Sequence, residues 1–170
     1  MRSFVVVHPN PVYTSEVEFG GVVASRYDQL FEKIADETRL RLSKGEKGYL
    51  LLDGFTHRAL HPFMEQLRLI PDGPYEEQFL YLKERMLGEG AETASIMGVQ
   101  YSVCVNCVYH LLTGDKGTDP HEGFDFSGIA TRLVRRGFFR DLEGFKKLAS
   151  EPLEVKIEES FTDKSFIPLV

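Results

Sequence analysis

The feature that most constrains the fold is a series of short apolar runs separated by longer stretches with helical periodicity. Three of these runs are Phe4–Val7, Tyr49–Phe55 and Thr93–Val99, and a shorter one, Leu67–Ile70, follows the second. Strands buried on both faces have this composition, whereas strands with one exposed face alternate. We therefore expect an α/β fold in three layers, with a mostly parallel, Rossmann-like sheet and helices on both faces.

Helical periodicity predicts the layers that cover the sheet. Ser25–Gly45 has apolar residues on one helical face, and Val103–Leu112 is apolar nearly all round, which predicts a deeply buried helix. Two further helices are expected near residues 129–134 and 142–148. Leu153–Glu159 alternates strictly, which is typical of a half-exposed edge strand, and an antiparallel direction is one option for it. The 170 residues are enough for one core, so residues 1–170 are expected to form a single domain.

The predicted strand exits carry polar and ionisable side chains. In open α/β sheets ligands bind beyond the carboxyl ends of the strands, so these exits predict where a site would lie. The residues concerned are His8 and Asn10 after the first run, Asp53 and His57 after the second, Asp72 after the short run, and Tyr101–Cys104 after the last. We expect Asn10, His57, Tyr101 and Ser102 to contact a small-molecule substrate there.

Both cysteines of the chain lie three residues apart in the segment Met97–Leu112. Cys104 lies at the predicted start of a helix that follows a strand, where unpaired N–H groups and the positive end of the helix dipole lower the pKa of a thiol. This position predicts a nucleophile. One alternative is inert packing of both thiols, because free cysteines are among the most buried residues. A redox pair is another, although bulky Val105 and the lack of a nearby proline are unlike thioredoxin-type pairs. A metal site shared by Cys104, Cys107 and His110 is excluded, since the three cannot face one ion from a single helix.

The segment IMGVQYSVCV, Ile96–Val105, resembles the nucleophile segment of isochorismatase-like cysteine hydrolases, a family that includes nicotinamidases. That family shows an apolar strand, Gly-Val, four residues, and Cys-Val at the start of a helix. Gly98, Val99, Cys104 and Val105 match this pattern, and the stretch before it is similar to the helix that precedes the strand. The resemblance is confined to residues 79–112, and it implies a doubly wound parallel sheet.

The resemblance also implies a mechanism. The Cys104 thiolate would attack a carbonyl or amide carbon, and backbone N–H groups near Tyr101–Cys104 would stabilise the oxyanion. The family has an aspartate base on its first strand and a lysine nearby. Here the first strand ends in His8, Asp53 follows the second, and the nearest cation is Arg68. Either His8 or Asp53 is therefore expected to be the base.

Asp53, His57 and His61 form a second candidate site, for a divalent metal. The two histidines share a face if their segment is helical, which suits metal ligands, although Pro62 would break such a helix. We expect no cofactor, with a divalent metal at these residues as the alternative. A Gly-x-Gly-x-x-Gly after the first strand and a Walker-type Gly-Lys-Ser/Thr are both absent, so the sequence does not support nucleotide cradles of those types.

Composition narrows the classes of partner. The net charge of −6 argues against a nucleic-acid or anionic-membrane surface, since those surfaces need clustered lysine and arginine. No apolar run reaches the length of a membrane span. Two cysteines so close together cannot close a useful structural loop, which favours a reducing, cytoplasmic compartment. The small size and aromatic content are compatible with a homodimer.

These patterns together predict a cytoplasmic hydrolase of a small amide or ester, with Cys104 as nucleophile and Asp53 or His8 as base. One alternative is a non-catalytic α/β module that binds a ligand or a partner subunit and keeps its thiols buried. The other alternative is a metal-dependent hydrolase that uses Asp53, His57 and His61.

Overall fold

The computed structural model describes residues 1–9, 21–98, 104–114 and 151–162, with the backbone alone for residues 21–27, 75 and 76. In this part of the chain, five strands form one parallel sheet: β1 (Arg2–Val7), β2 (Lys47–Leu51), β3 (Arg68–Ile70), β4 (Thr93–Gly98) and β5 (Glu154–Thr162). Their order across the sheet is β3-β2-β1-β4-β5. Val7 at the end of β1 pairs with Leu51 on one side and with Gly98 on the other. The carboxyl ends of three strands therefore meet around residue 8, and the α/β prediction is confirmed.

Helices connect the strands. They are α1 (Gly21–Ser43), a 3₁₀ turn (Arg58–Phe63), α2 (Tyr75–Gly88) and α3 (Asn106–Thr113). α1 begins earlier than the expected Ser25 and ends just before Gly45, whose φ of 78° is left-handed backbone that glycine adopts without strain. The helices expected near residues 129–134 and 142–148 lie outside the described residues. Within the described residues, no helix combines the length and the hydropathy needed to span a membrane.

The sheet is covered on both faces, because successive side chains of β1 point in opposite directions. Val5 and Val7 belong to a buried cluster that includes apolar residues of α2 and α3, whereas Phe4 and Val6 belong to a second cluster with α1 and the 3₁₀ turn. All four side chains are at most 1% exposed. Burial of each contributes about 1.5–3 kcal/mol, which explains why the run is apolar without alternation. This is the predicted three-layer arrangement.

β5 runs parallel to its neighbour, so the antiparallel option for the last strand was wrong. Glu154 pairs with Thr93, and Thr162 pairs with Gly98, which means that β4 and β5 begin at the same edge of the sheet. The strand is half-exposed, as its alternation indicated. Alternation reports the exposure of a face and not the direction of a strand. The chain between α3 and β5 is long enough for the crossover that parallel pairing requires.

A charged cluster ties the amino edge of the sheet to the end of α2. Glu89, directly after α2, accepts hydrogen bonds from Arg68, from Arg85 at 3.1 Å and from the Tyr49 hydroxyl at 3.1 Å. Although burial acts to raise it, these hydrogen bonds lower the pKa of Glu89 to about 2. Burial and the Glu89 charge together raise the pKa of Tyr49. The cluster therefore holds a carboxylate and a neutral phenol, and it lies at the opposite end of the sheet from the strand exits.

Candidate functional site

The carboxyl ends of β1 and β4 lie at the switch point of the sheet, where the chain connections diverge. The chain leaves β1 towards α1 on one face of the sheet and leaves β4 towards α3 on the other. Doubly wound sheets bind ligands at this point. A Cβ atom on Gly98 would come within 2.9 Å of the Val7 carbonyl oxygen and of the Val105 side chain. Glycine at this position therefore leaves room for Val105 and for the backbone at the end of β1.

His8 directly follows β1 at this switch point. Its side chain is 2% exposed, and its backbone N–H donates to the carbonyl of Leu51 at 3.2 Å. Its φ is 44°, which is uncommon for a residue with a side chain and is enriched at functional sites. The imidazole stacks on Phe79 with a centroid distance of 5.9 Å, and its Nε2 lies 2.7 Å from Oε1 of Gln78. The first strand thus delivers a buried, fixed imidazole to the predicted edge.

Burial lowers the pKa of His8, because it disfavours the charged imidazolium. The hydrogen bond to Gln78 and the negative charges of Asp53 and Asp72 act in the opposite direction, but they do not cancel the effect of burial. The ring is consequently neutral near physiological pH, which is the form that can accept a proton.

Gln78 of α2 is a site residue that the sequence analysis missed. Its side chain is 3% exposed, and its Nε2 donates to the carbonyls of Leu52 at 2.6 Å and Pro71 at 3.0 Å. Through these bonds and its contact with His8, one side chain links the exits of β1, β2 and β3. The signal available in the sequence was a polar residue on the apolar face of a helix, one turn before Leu82.

Asp53 is the second residue after β2 and is partly exposed. Its negative charge raises the pKa of His8 and also that of Cys104. The structure therefore brings His8, Asp53 and Cys104 to one edge of the sheet, as the strand exits predicted. Arg68, the expected cation, is instead the first residue of β3. It lies at the amino ends of the strands, away from the strand exits, and binds Glu89.

Cys104 differs from the expectation in its ionisation. The side chain is 2% exposed within the apolar cluster that includes α2 and α3, and burial, with the charges of Cys107 and Asp53, raises the pKa of its thiol to about 12. The predicted lowering of this pKa was wrong. The backbone at Cys104 is already helical, and the loss of water around the sulfur outweighs any effect of the helix start. Cys107 is half-buried, so complete burial applies to Cys104 alone.

The histidines of the proposed metal site are engaged elsewhere. His57 lies under α1, where its Nε2 is 2.8 Å from a carboxylate oxygen of Asp28 and its Nδ1 accepts from the Ala59 N–H at 3.2 Å. Its ring stacks on Phe31. His61 is exposed, and its Nε2 bonds the carbonyl of Thr56 at 2.9 Å. Both ring nitrogens of His57 are occupied, so these residues do not fit a metal. Across residues 1–9, 21–98, 104–114 and 151–162, no three histidine, cysteine or acidic side chains are placed to hold an ion.

A shallow cavity of about 210 Å³ opens beside Gln78, beyond the end of β3. Its polar lining residues are Asp72, Glu77 and Gln78, and Tyr81, Gly73 and two prolines form the rest of the lining. Asp72 also accepts a hydrogen bond from the Gly54 N–H at 3.1 Å, which ties the loop after β3 to the loop after β2.

Three of the predicted substrate contacts, Asn10, Tyr101 and Ser102, lie outside the described residues. The fourth, His57, is 4% exposed and packs against α1. Comparisons of the chain with protein family models, with curated proteins and with solved structures give no match. The likeness to isochorismatase-like hydrolases therefore rests on the residues quoted above.

Proposed function

We propose that this protein is an enzyme that hydrolyses a small amide or ester at the carboxyl edge of the sheet, with His8 as the general base. The observation that carries the proposal is the position of His8. A buried, neutral imidazole is held at the exit of the central strand, where sheets of this topology bind ligands. Buried ionisable groups with a perturbed pKa at such a strand exit are candidates for acid–base chemistry.

Asp53 supports this role electrostatically. A general base becomes positively charged when it accepts a proton, and the Asp53 charge favours the imidazolium of His8. Asp53 also disfavours the Cys104 thiolate. One carboxylate thus promotes proton transfer to the imidazole and opposes ionisation of the thiol.

The nucleophile that these observations favour is a water molecule activated by His8. A thiol with a pKa of about 12 carries almost no thiolate near neutral pH, so attack by Cys104 would first require proton transfer to His8 or Asp53. The choice of an amide or ester as substrate comes from the resemblance around Gly98 and Cys104. In this proposal Cys104 packs beside the site.

Steady-state hydrolysis of a panel of small amides and nitrophenyl esters tests the proposal. His8→Gln keeps a side-chain N–H for the contact with Gln78 but has no basic nitrogen, and we expect it to reduce kcat/KM by about 100-fold or more. Cys104→Ala is expected to stay within about tenfold of the wild type, which is less than the effect of losing a nucleophile. His61→Gln, which changes an exposed histidine, is the matched control.

Undiminished hydrolysis by His8→Gln would contradict the role of His8. Abolition of activity by Cys104→Ala in a folded protein would return the thiol to the role of nucleophile. A second candidate, a non-catalytic module that binds a ligand or partner, is favoured by the burial and raised pKa of Cys104. Binding of the test compounds without turnover by the wild type would support that module.

A further inference from the structure

The hydrogen bonds of Gln78 determine which end of its side-chain amide faces His8. Gln78 lies in the first turn of α2, and its side chain reaches three carbonyl groups: Leu52 at 2.6 Å, Pro71 at 3.0 Å and, more weakly, Ile70 at 3.4 Å. Carbonyl oxygens only accept hydrogen bonds. The end of the side chain that faces them must therefore be the amide nitrogen, which carries two N–H donors.

This orientation places the amide oxygen of Gln78 against the imidazole. Oε1 lies 2.7 Å from Nε2 of His8, and the contact is buried. An amide oxygen can only accept, so Nε2 must supply the hydrogen. A reversed amide would bring an N–H to His8 but would set the oxygen against the carbonyls of Leu52 and Pro71, and it would lose both of those hydrogen bonds.

We infer that Gln78 is a positioning residue that fixes neutral His8 as the Nε2–H tautomer, so that Nδ1 is the nitrogen that accepts a proton. This inference rests on the proposed function only where it makes Nδ1 the atom that accepts the proton during hydrolysis. The tautomer itself follows from the hydrogen bonds. Because the backbone carbonyls that hold Gln78 belong to the exits of β2 and β3, the sheet itself sets the protonation pattern of the residue after β1.

Nitrogen-15 NMR of the imidazole tests the inference on the wild-type protein. Protonated and unprotonated ring nitrogens resonate at separate positions, and the His8 signals are assigned by their loss in His8→Gln. Above the pKa of His8 we expect Nε2 to be protonated and Nδ1 to be unprotonated. A proton on Nδ1, or an average of the two tautomers, would overturn the inference. Because the spectrum requires no substrate, it reads the tautomer even if the panel of amides and esters gives no turnover.

Two variants separate positioning from simple packing. Gln78→Glu places a carboxylate oxygen against Nε2, next to the charges of Asp53 and Asp72 that already face His8, and should raise the His8 pKa by about one unit or more. The variant also loses the N–H donors to the carbonyls of Leu52 and Pro71, so it should be less stable than the wild type, and the titration is read on the folded protein. The NMR titration and the acid limb of the kcat/KM profile should shift together, while the Nε2–H tautomer is retained. Gln78→Leu removes the acceptor, and the imidazole should then populate both tautomers. Gln66→Leu, at an exposed glutamine, is the control.

If Gln78→Leu does not fold, the wild-type spectrum and the Gln78→Glu titration still decide whether Gln78 sets the tautomer of His8. An Nε2–H tautomer that persists unchanged in a folded Gln78→Leu protein would show that another contact sets it and would overturn the role of Gln78. An Nε2–H tautomer lost in Gln78→Leu, with no hydrolysis by the wild type, would uphold the positioning and refute only the proposed function.

Discussion

The reactivity of Cys104 separates a nucleophile from a packed thiol most sharply. In a Cys107→Ala variant, Cys104 is the only thiol of the chain; it keeps burial, the largest cause of its raised pKa, and loses the smaller effect of Cys107, so the wild-type pKa gives the largest reduction in thiolate to expect. A pKa of about 12 against about 8.5 for an exposed cysteine reduces the thiolate fraction by roughly 3,000-fold near pH 7. A more basic thiolate is also more nucleophilic, and a Brønsted slope of about 0.4–0.5 recovers roughly 30-fold of this loss. Alkylation should therefore be about 100-fold slower than for a free cysteine, before any loss of access.

The assay is the rate of iodoacetamide labelling across a pH series, followed by intact mass. Because Cys104 is only 2% exposed, its rate in the native protein should be slower still, and it should recover when guanidinium chloride unfolds the chain. The native rate should keep rising with pH beyond the point at which a free thiol levels off. Cys104→Ala, in which half-buried Cys107 is the only thiol, provides the comparison. Labelling of Cys104 as fast as that of a free thiol, with a plateau near neutral pH, would refute the reasoning and identify an activated nucleophile.

Three further perturbations test the packing and charges. Glu89→Gln should lower the free energy of unfolding by about 1–3 kcal/mol near pH 7, a range that allows for the partial exposure of Glu89. The reason is that the lowered pKa of Glu89 stabilises the folded state at any pH above about 4.5, the pKa of this carboxyl in the unfolded chain. That stability is lost as pH falls towards about 2, so urea melts of wild type and variant should converge in acid. Gly48→Ala brings a Cβ within 2.5 Å of a buried phenylalanine and should lower stability by about 1–3 kcal/mol; an unchanged melting temperature would contradict the packing. Asp53→Asn should lower the pKa of His8 and of Cys104 together, in NMR and labelling titrations, and a change in only one would break the link between them.

The architecture could be predicted because the buried strands form continuous apolar runs. β1 is apolar on both faces since α1 covers one face and α2 and α3 cover the other, and that requirement is visible in residues 4–7 alone. The direction of β5 could not be predicted. Alternation shows which face of a strand meets water, but it does not show whether the strand runs parallel or antiparallel to its neighbour.

The site could be predicted only in part. A polar residue after each buried strand located His8 and Asp53, since parallel strands end at one edge. Gln78 was not predicted because its role depends on three carbonyls from two strand exits, those of β2 and β3, which no local pattern encodes. The pKa of Cys104 was misjudged because a helix start is visible in sequence, whereas the depth at which the sulfur is buried is set by the packing of α2 and α3 against the sheet.

The sequence differs from the isochorismatase-like pattern that it resembles in having a histidine, His8, at the end of the first strand and an aspartate, Asp53, after the second. The same placement of charges accounts for part of the raised pKa of Cys104. A nucleophilic thiolate needs positive charge or strong donors beside it, and burial, Cys107 and Asp53 all act on Cys104 in the opposite direction. Arg68, which could have supplied positive charge, is bound to Glu89 at the other end of the sheet. The same Asp53 charge favours a proton on His8. With a histidine at the end of the first strand and the carboxylate after the second, this arrangement favours a proton on the imidazole and opposes the thiolate, which is why the proposed hydrolysis uses water and not sulfur as the attacking group.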